Sequence, residues 1–183
     1  MLENAGIGHV VDAASIDEKA LKEKLGKDRI GIKPAAQALA QAKAAAIAER
    51  HPGAYVIGAD QILELNGQWF DKPRDKEQAA ATLKTLRGRT HRLISAVSVY
   101  RDEESLWKYV ETANLTMRDF SDAFIERYIA ESGSEILESV GAYRLEGTGA
   151  QLFARIEGDY FTILGLPLLA LLGFLREVGA LSE

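Results

Sequence analysis

Tyr55-Val56-Ile57-Gly58-Ala59-Asp60-Gln61 is the stretch that decides how this chain is read. Tyr, Val and Ile favour extended backbone, and the run ends on a single carboxylate. It predicts a buried strand, read over Ala54 to Leu65, that delivers Asp60 to its carboxyl end, the edge where open α/β sheets gather their active sites. An acid closing an apolar strand is costly unless it is paired or bound to a metal. Lys43 on the upstream side and Lys72 on the downstream side are the candidate partners, with a divalent cation as the other option.

Upstream, Pro34 suits a first helical position, and a helix is predicted from there to about Arg50. Leu39, Lys43 and Ile47 recur at i, i+4 and i+8 and share a face with Ala36, Ala40 and Ala46. Lys43 therefore lies on the apolar stripe. A snorkelling stem is the ordinary account of such a lysine, and an ammonium aimed at an anion site is the other. Further back, Ser15 to Leu25 is predicted helical with Asp17-Glu18 at its start, where acids complement the helix dipole. His9-Val10-Val11 is a short strand candidate, and Met1 to Ala5 reads as the end of a helix stopped by Gly6.

Downstream, Asn66-Gly67 marks a two-residue hairpin that returns through Gln68-Trp69-Phe70 to Asp71-Lys72-Pro73. Pro73 holds Lys72 in extended geometry. Asp75 with Gln78 forms a capping box for a helix ending at Gly88. Thr90 to Tyr100 and Leu106 to Met117 pair as an antiparallel hairpin through Asp102-Glu103-Glu104-Ser105. Ser121 caps a helix with Phe124, Ile125, Tyr128 and Ile129 inside. Gly147-Thr148-Gly149 turns the chain into a strand over 152–156, and Pro167 opens a last helix that is apolar on nearly every side. The alternation predicts an α/β fold with a mixed β-sheet and flanking helices, in one lobe or two.

The 183 residues suffice for one substantial core. A net charge of -5 argues against a general nucleic-acid or anionic-membrane surface. Without cysteine there is no disulfide, thiolate zinc site or cysteine nucleophile, and His9, His51 and His91 lack metal-ligand spacing. The apolar run over 164–175 is broken by Gly165, Pro167 and Gly173 and is shorter than the ~20 residues a bilayer requires. A cytoplasmic protein is the simplest expectation. Glu18 and Asp60 offer two carboxylates to a hard cation, and Lys43 and Lys72 offer two ammonium groups to phosphate. Phosphoryl chemistry needs that kind of positioning and charge neutralisation, with Asp60 to orient or deprotonate a water.

In their order along the chain, Gly58-Ala59-Asp60, Asp71-Lys72-Pro73, Leu86-Arg87-Gly88-Arg89-Thr90-His91, Gly141-Ala142-Tyr143, Glu157-Gly158-Asp159 and Gly165-Leu166-Pro167 resemble the motifs of the Maf family. The resemblance implies one Maf-like domain over 1–183, with a deep cleft between two lobes and a fold related to inosine triphosphate pyrophosphatases. It implies a nucleoside triphosphate pyrophosphatase that uses a divalent cation, magnesium or manganese, and is commonly a homodimer. Asp60 matches the proton-accepting acid. Glu18, Lys43 and Lys72 match the acid and lysines near metal and phosphates, so Glu18 and Asp60 are the expected metal ligands.

Base choice in the family follows two positions that here read Gln61 and Glu146, where pyrimidine-preferring members carry Thr and Gln. Together with Ser139 in place of a lysine, they resemble the branch preferring 7-methyl-GTP. A carboxylate suits the donors on a guanine edge, and N7 methylation adds positive charge. The family pattern also places a strand and a Ser-x-Ser-Pro-x-Arg loop before the helix end at Met1. The expectation is an initiation site assigned too far downstream, with a truncated, non-catalytic nucleotide-binding or cell-division regulatory form as the alternative.

Overall fold

The structure is a computed structural model that describes residues 1–182. Two compact units share the chain. The first takes Met1–Gln61, Ile94–Glu111 and Gly165–Glu183, and the second takes Ile62–Leu93 and Thr112–Leu164. Five strands, β1 (Tyr55–Leu65), β2 (Gln68–Phe70), β3 (Thr90–Arg101), β4 (Glu104–Met117) and β5 (Phe153–Glu157), form a sheet in the order β2-β1-β3-β4-β5. Six α-helices accompany them: α1 (Glu18–Lys27), α2 (Ile32–Ala48), α3 (Lys76–Leu86), α4 (Asp122–Ser132), α5 (Tyr160–Ile163) and α6 (Leu168–Glu177). This is the expected α/β class.

In the first unit, α1 packs on α2, and Asp17 caps α1 by accepting from Ala20 N at 2.9 Å. Asp17 thus plays the ordinary role assigned to the Asp17-Glu18 pair, while Glu18 is left to turn elsewhere. Helix α2 starts at Ile32, two residues before Pro34, with Gly31 as its N-cap. Pro34 still falls in the first turn, where its missing N–H costs nothing. The buried face of α2 is Ala35, Ala36, Leu39, Ala40, Ala44, Ile47 and Ala48, so Ala44 takes the place expected of Ala46. Val56 of β1 packs in one small core with Ala44, Ile47 and Ala48. Leu168, Leu171, Phe174 and Leu175 are the buried side of α6, while Leu169 stays 63% exposed.

Two expectations fail here. His9-Val10-Val11 is not a strand: residues 7–17 have no regular structure, and Val10 and Val11 are among the most exposed apolar side chains. An extended segment needs a ladder partner for its backbone groups, and among the described residues it has none. The strand read over 54–65 is present as β1, but Asp60 is not at its carboxyl end. β1 runs to Leu65, which puts Asp60 in its middle.

The second unit holds the larger core, in which Leu63, Leu83, Leu93, Leu115, Ile125 and Leu152 are joined by Tyr128 and Tyr143. Asn66 and Gly67 both have positive φ, 52° and 86°, and pair Leu65 with Gln68 across the predicted hairpin. Asp75 caps α3 by accepting from Gln78 N at 2.7 Å. The Gln78 side chain accepts from Arg74 N instead of Asp75 N, one residue off the expected capping box. Ser121 caps α4, which stops at Gly133. His91, fully buried, contacts Tyr143 OH through Nε2 at 2.7 Å, and Tyr143 meets Phe153 edge-on. No described helix is long and apolar enough to cross a membrane.

Candidate active site

Alternation along β1 places Val56, Gly58 and Asp60 on one face, all buried. That face receives α2, and Gly58 is what lets it come so close. A Cβ at position 58 would lie 2.4 Å from Ala40 O, 2.6 Å from Ala44 N and 2.8 Å from Ala44 Cβ. No methyl fits there without moving the helix backbone. The helix seated on Gly58 carries Lys43 beside Asp60, two residues along the strand. Lys43 Nζ donates to Asp60 Oδ1 at 2.7 Å and lies 3.1 Å from Glu18 Oε1. Three elements distant in sequence thus meet in one ion cluster inside the first unit.

The cluster is graded in burial. Asp60 is 7% exposed as a residue, the Lys43 side chain 23% and the Glu18 side chain 44%. Burial is the largest influence on Asp60 and raises its pKa. The hydrogen bond and charge of Lys43 and the charge of Lys22 pull it down, Glu18 pushes it up, and the net direction is upward. For Lys43, burial works against the ammonium, but Asp60 and then Glu18 outweigh it and the pKa ends above its ordinary value. The two directions agree physically: the ion pair holds its proton on the lysine, and desolvation makes the acid a better base than an exposed aspartate. Asp60 Oδ2 is buried with no hydrogen-bond partner. A buried carboxylate oxygen left without a donor marks a place for a ligand, metal or water.

Among the described residues no group of three His, Cys, Asp or Glu side chains gathers as a metal site. The two carboxylates of the cluster nonetheless suit a hard cation of the magnesium type, which takes one or two protein carboxylates and completes its shell with water and substrate phosphates. The orphaned Asp60 Oδ2 is the observation that supports this fit.

The remaining sequence candidates are placed separately. Gln61, half-buried, donates through Nε2 to the buried Ser95 Oγ at 2.9 Å. Lys72 is exposed and belongs to the second unit, as does Glu146. Glu146 accepts from Arg144 Nε at 3.0 Å, and Arg144 also pairs with Glu135. All three line a pocket of about 360 Å³ with Tyr128, Ser132 and Thr148. Two contributors escaped the reading of the sequence. Lys22 follows Glu18 by four residues, the spacing that puts both on one helix face, so its signal was present. Ser95 sits in an apolar strand, and nothing in its local sequence marks it as the partner of Gln61.

Comparison with known proteins adds what geometry alone does not. The model of the family described as Maf-like protein matches residues 1–178. A protein of Paramagnetospirillum magneticum named nucleoside triphosphate pyrophosphatase is 52% identical over 99% of this chain and 93% of its own length. Proteins named 7-methyl-GTP pyrophosphatase from Rhizobium meliloti and Brucella abortus are 51% and 49% identical, covering 100% and 97% of this chain and 92% and 89% of their own lengths. With a family match over nearly all of its residues and relatives at about half identity, this chain belongs to the Maf family.

Proposed function

We propose that the protein is a nucleoside triphosphate pyrophosphatase that cleaves the α–β anhydride, releasing the monophosphate and pyrophosphate. The relatives at about 50% identity carry that activity in their names. The observation that carries the reading is the Glu18, Lys43 and Asp60 cluster, with its buried, unpartnered Asp60 Oδ2. In the reaction, water oxygen bonds to the α-phosphorus, its proton passes to the Asp60 carboxylate, and the α–β bridging oxygen leaves with pyrophosphate. The raised pKa of Asp60 favours that proton transfer, because a base nearer the working pH accepts a proton more readily. A divalent cation held by Glu18 and Asp60 would supply neutralisation of the polyphosphate charge. Lys43 and Lys72 are assigned to the phosphates.

For substrate, the reading favours a guanine nucleotide methylated at N7. Relatives of nearly equal identity carry both the general and the 7-methyl-GTP names, and the residue pair Gln61 and Glu146 tips the choice. A homodimer acting in the cytoplasm on a nucleotide, with no nucleic acid or membrane partner, completes the proposal. Pyrophosphate release from 7-methyl-GTP, UTP and inosine triphosphate with Mg²⁺, with Asp60→Asn as control, tests it. Turnover of 7-methyl-GTP above the other two is the expected result. Nucleotide binding without turnover by the wild type would favour a regulatory role instead.

A further inference from the structure

Lys43 holds one oxygen of each carboxylate assigned to a metal. Its ammonium touches Asp60 Oδ1 at 2.7 Å and Glu18 Oε1 at 3.1 Å, the two carboxylates assigned above to a divalent cation. An ammonium and a divalent cation compete for hard oxygens and repel each other at that range, so the lysine weakens a cation's hold on the pair. We propose that Lys43 is the resting counter-ion of the Glu18 and Asp60 pair, and that it gives up this place to the divalent cation and turns to the substrate phosphates when metal and nucleotide arrive together. The inference rests on the pyrophosphatase reading and deepens it.

Three observations support the exchange. First, the lysine neutralises one of the two carboxylate charges and Lys22 acts on Asp60 as well, so a cation arriving alone meets little net attraction. A cation bound to a polyphosphate brings the anion to which the displaced ammonium can move. Second, Lys43 projects from a helix whose backbone is fixed against Gly58, while its side chain keeps 23% exposure. Its flexible four-carbon stem can redirect the ammonium without disturbing α2. Third, Asp60 is buried on a central strand position, so the acid stays while the lysine moves. The site therefore holds a mobile cation and a fixed base, and metal and nucleotide binding become mutually reinforcing.

The test is a titration of the full chain with Mn²⁺ and no nucleotide, read by electron paramagnetic resonance of free Mn²⁺. Wild type binds weakly, Lys43→Met binds about tenfold tighter or more, and Lys43→Arg, which keeps the charge, stays close to wild type. Unchanged or weaker Mn²⁺ binding in Lys43→Met overturns the proposal. Should Lys43→Met lose its fold by circular dichroism, the wild type decides. Its Lys43 Nζ–H nuclear magnetic resonance signal, protected by two carboxylates, should shift or exchange away on saturation with Mg²⁺, and a signal that stays put overturns the idea. Pyrophosphate release by the wild type is scored separately. Turnover without the Mn²⁺ effect therefore sinks only the exchange, and absence of turnover sinks the underlying reading.

Discussion

Asp60 in the first unit and His91 in the second are both buried titratable residues with one ring or carboxylate atom left unpartnered. Their surroundings differ in one respect. Asp60 has Lys43 at 2.7 Å, with Glu18 and Lys22 acting on it as well, whereas His91 has the neutral Tyr143 hydroxyl and the Phe153 ring beside it and, among the described residues, no charged group acting on it. A charge partner lets Asp60 remain ionised despite its burial. Lacking one, His91 is driven to its neutral form, and burial pushes its pKa down to about 4. Burial also raises the pKa of Tyr143. One pair is a charged site held ready for a proton, and the other is a neutral strut in a core. Burial alone does not make a functional group; the partner decides.

The comparison breaks most sharply at Asp60. Asp60→Asn keeps the shape and removes the proton acceptor, so pyrophosphate release should fall by about 10²- to 10⁴-fold. Retention of most activity would remove Asp60 from the chemistry. The acid limb of the wild-type kcat/KM profile should be displaced upward from that of an ordinary aspartate, because burial raises the Asp60 pKa and activity requires the ionised form. A limb at or below pH 4 would contradict that direction.

His91 should show its effect in stability and not in turnover. Its folded pKa is lowered, so the unfolded chain binds the proton first. The stabilisation from neutral His91 is complete above about pH 6.5 and is lost as pH falls towards about 4, a range worth about 3 kcal/mol. Urea unfolding at several pH values measures this, and His91→Asn should flatten the slope between pH 6.5 and 4. An equally steep slope in the variant would assign the acid sensitivity to other groups.

How much of this was legible depended on whether the cause was local. The Asn66-Gly67 hairpin, the Asp75 and Ser121 caps and the helix stops at Gly88 and Gly133 were readable because each needs only a few adjacent residues. Lys43 was readable as a charge on an apolar stripe and as a candidate partner of Asp60, though not as a partner of Glu18. The extent of β1 was readable from its β-formers and the Asn66-Gly67 turn, but Asp60 was placed at its carboxyl end, when the strand continues through Gln61 and Ile62 past a carboxylate paired with a lysine of α2. His9-Val10-Val11 had strand composition without a pairing partner, a non-local condition. Ser95 meets Gln61 only through the fold, across 34 residues of chain. Gly58 was quoted as part of a motif, but its role as the seat of α2 exists only once helix and strand are in contact.

Gly58→Ala is a more modest perturbation that reads the connection between backbone packing and the ion cluster. The added methyl meets Ala40 O and Ala44 N, both backbone atoms, so the helix must shift, at a cost of about 1–3 kcal/mol typical of overpacking. Any shift lengthens the Lys43 to Asp60 contact and weakens the lysine's hold on the Asp60 pKa. The acid limb of the activity profile should therefore move to higher pH, a change that simple destabilisation would not produce. A variant that loses stability with an unmoved acid limb would show that the helix slides without disturbing the ion pair.

The smallest effect belongs to Asn66→Ala. Asn66 sits in the left-handed region at φ 52°, where a short polar side chain is tolerated and alanine costs roughly 1 kcal/mol. The loss should appear as a reduced urea midpoint with an unchanged m value, because the hairpin register is still set by Gly67 and by the pairing of Leu65 with Gln68. Pyrophosphate release per folded molecule should stay at the wild-type level, since Asn66 is an exposed turn residue of the hairpin. A fall in turnover instead would mean that this turn governs the position of Lys72 six residues on. The returning strand would then belong to the catalytic apparatus and not to the scaffold.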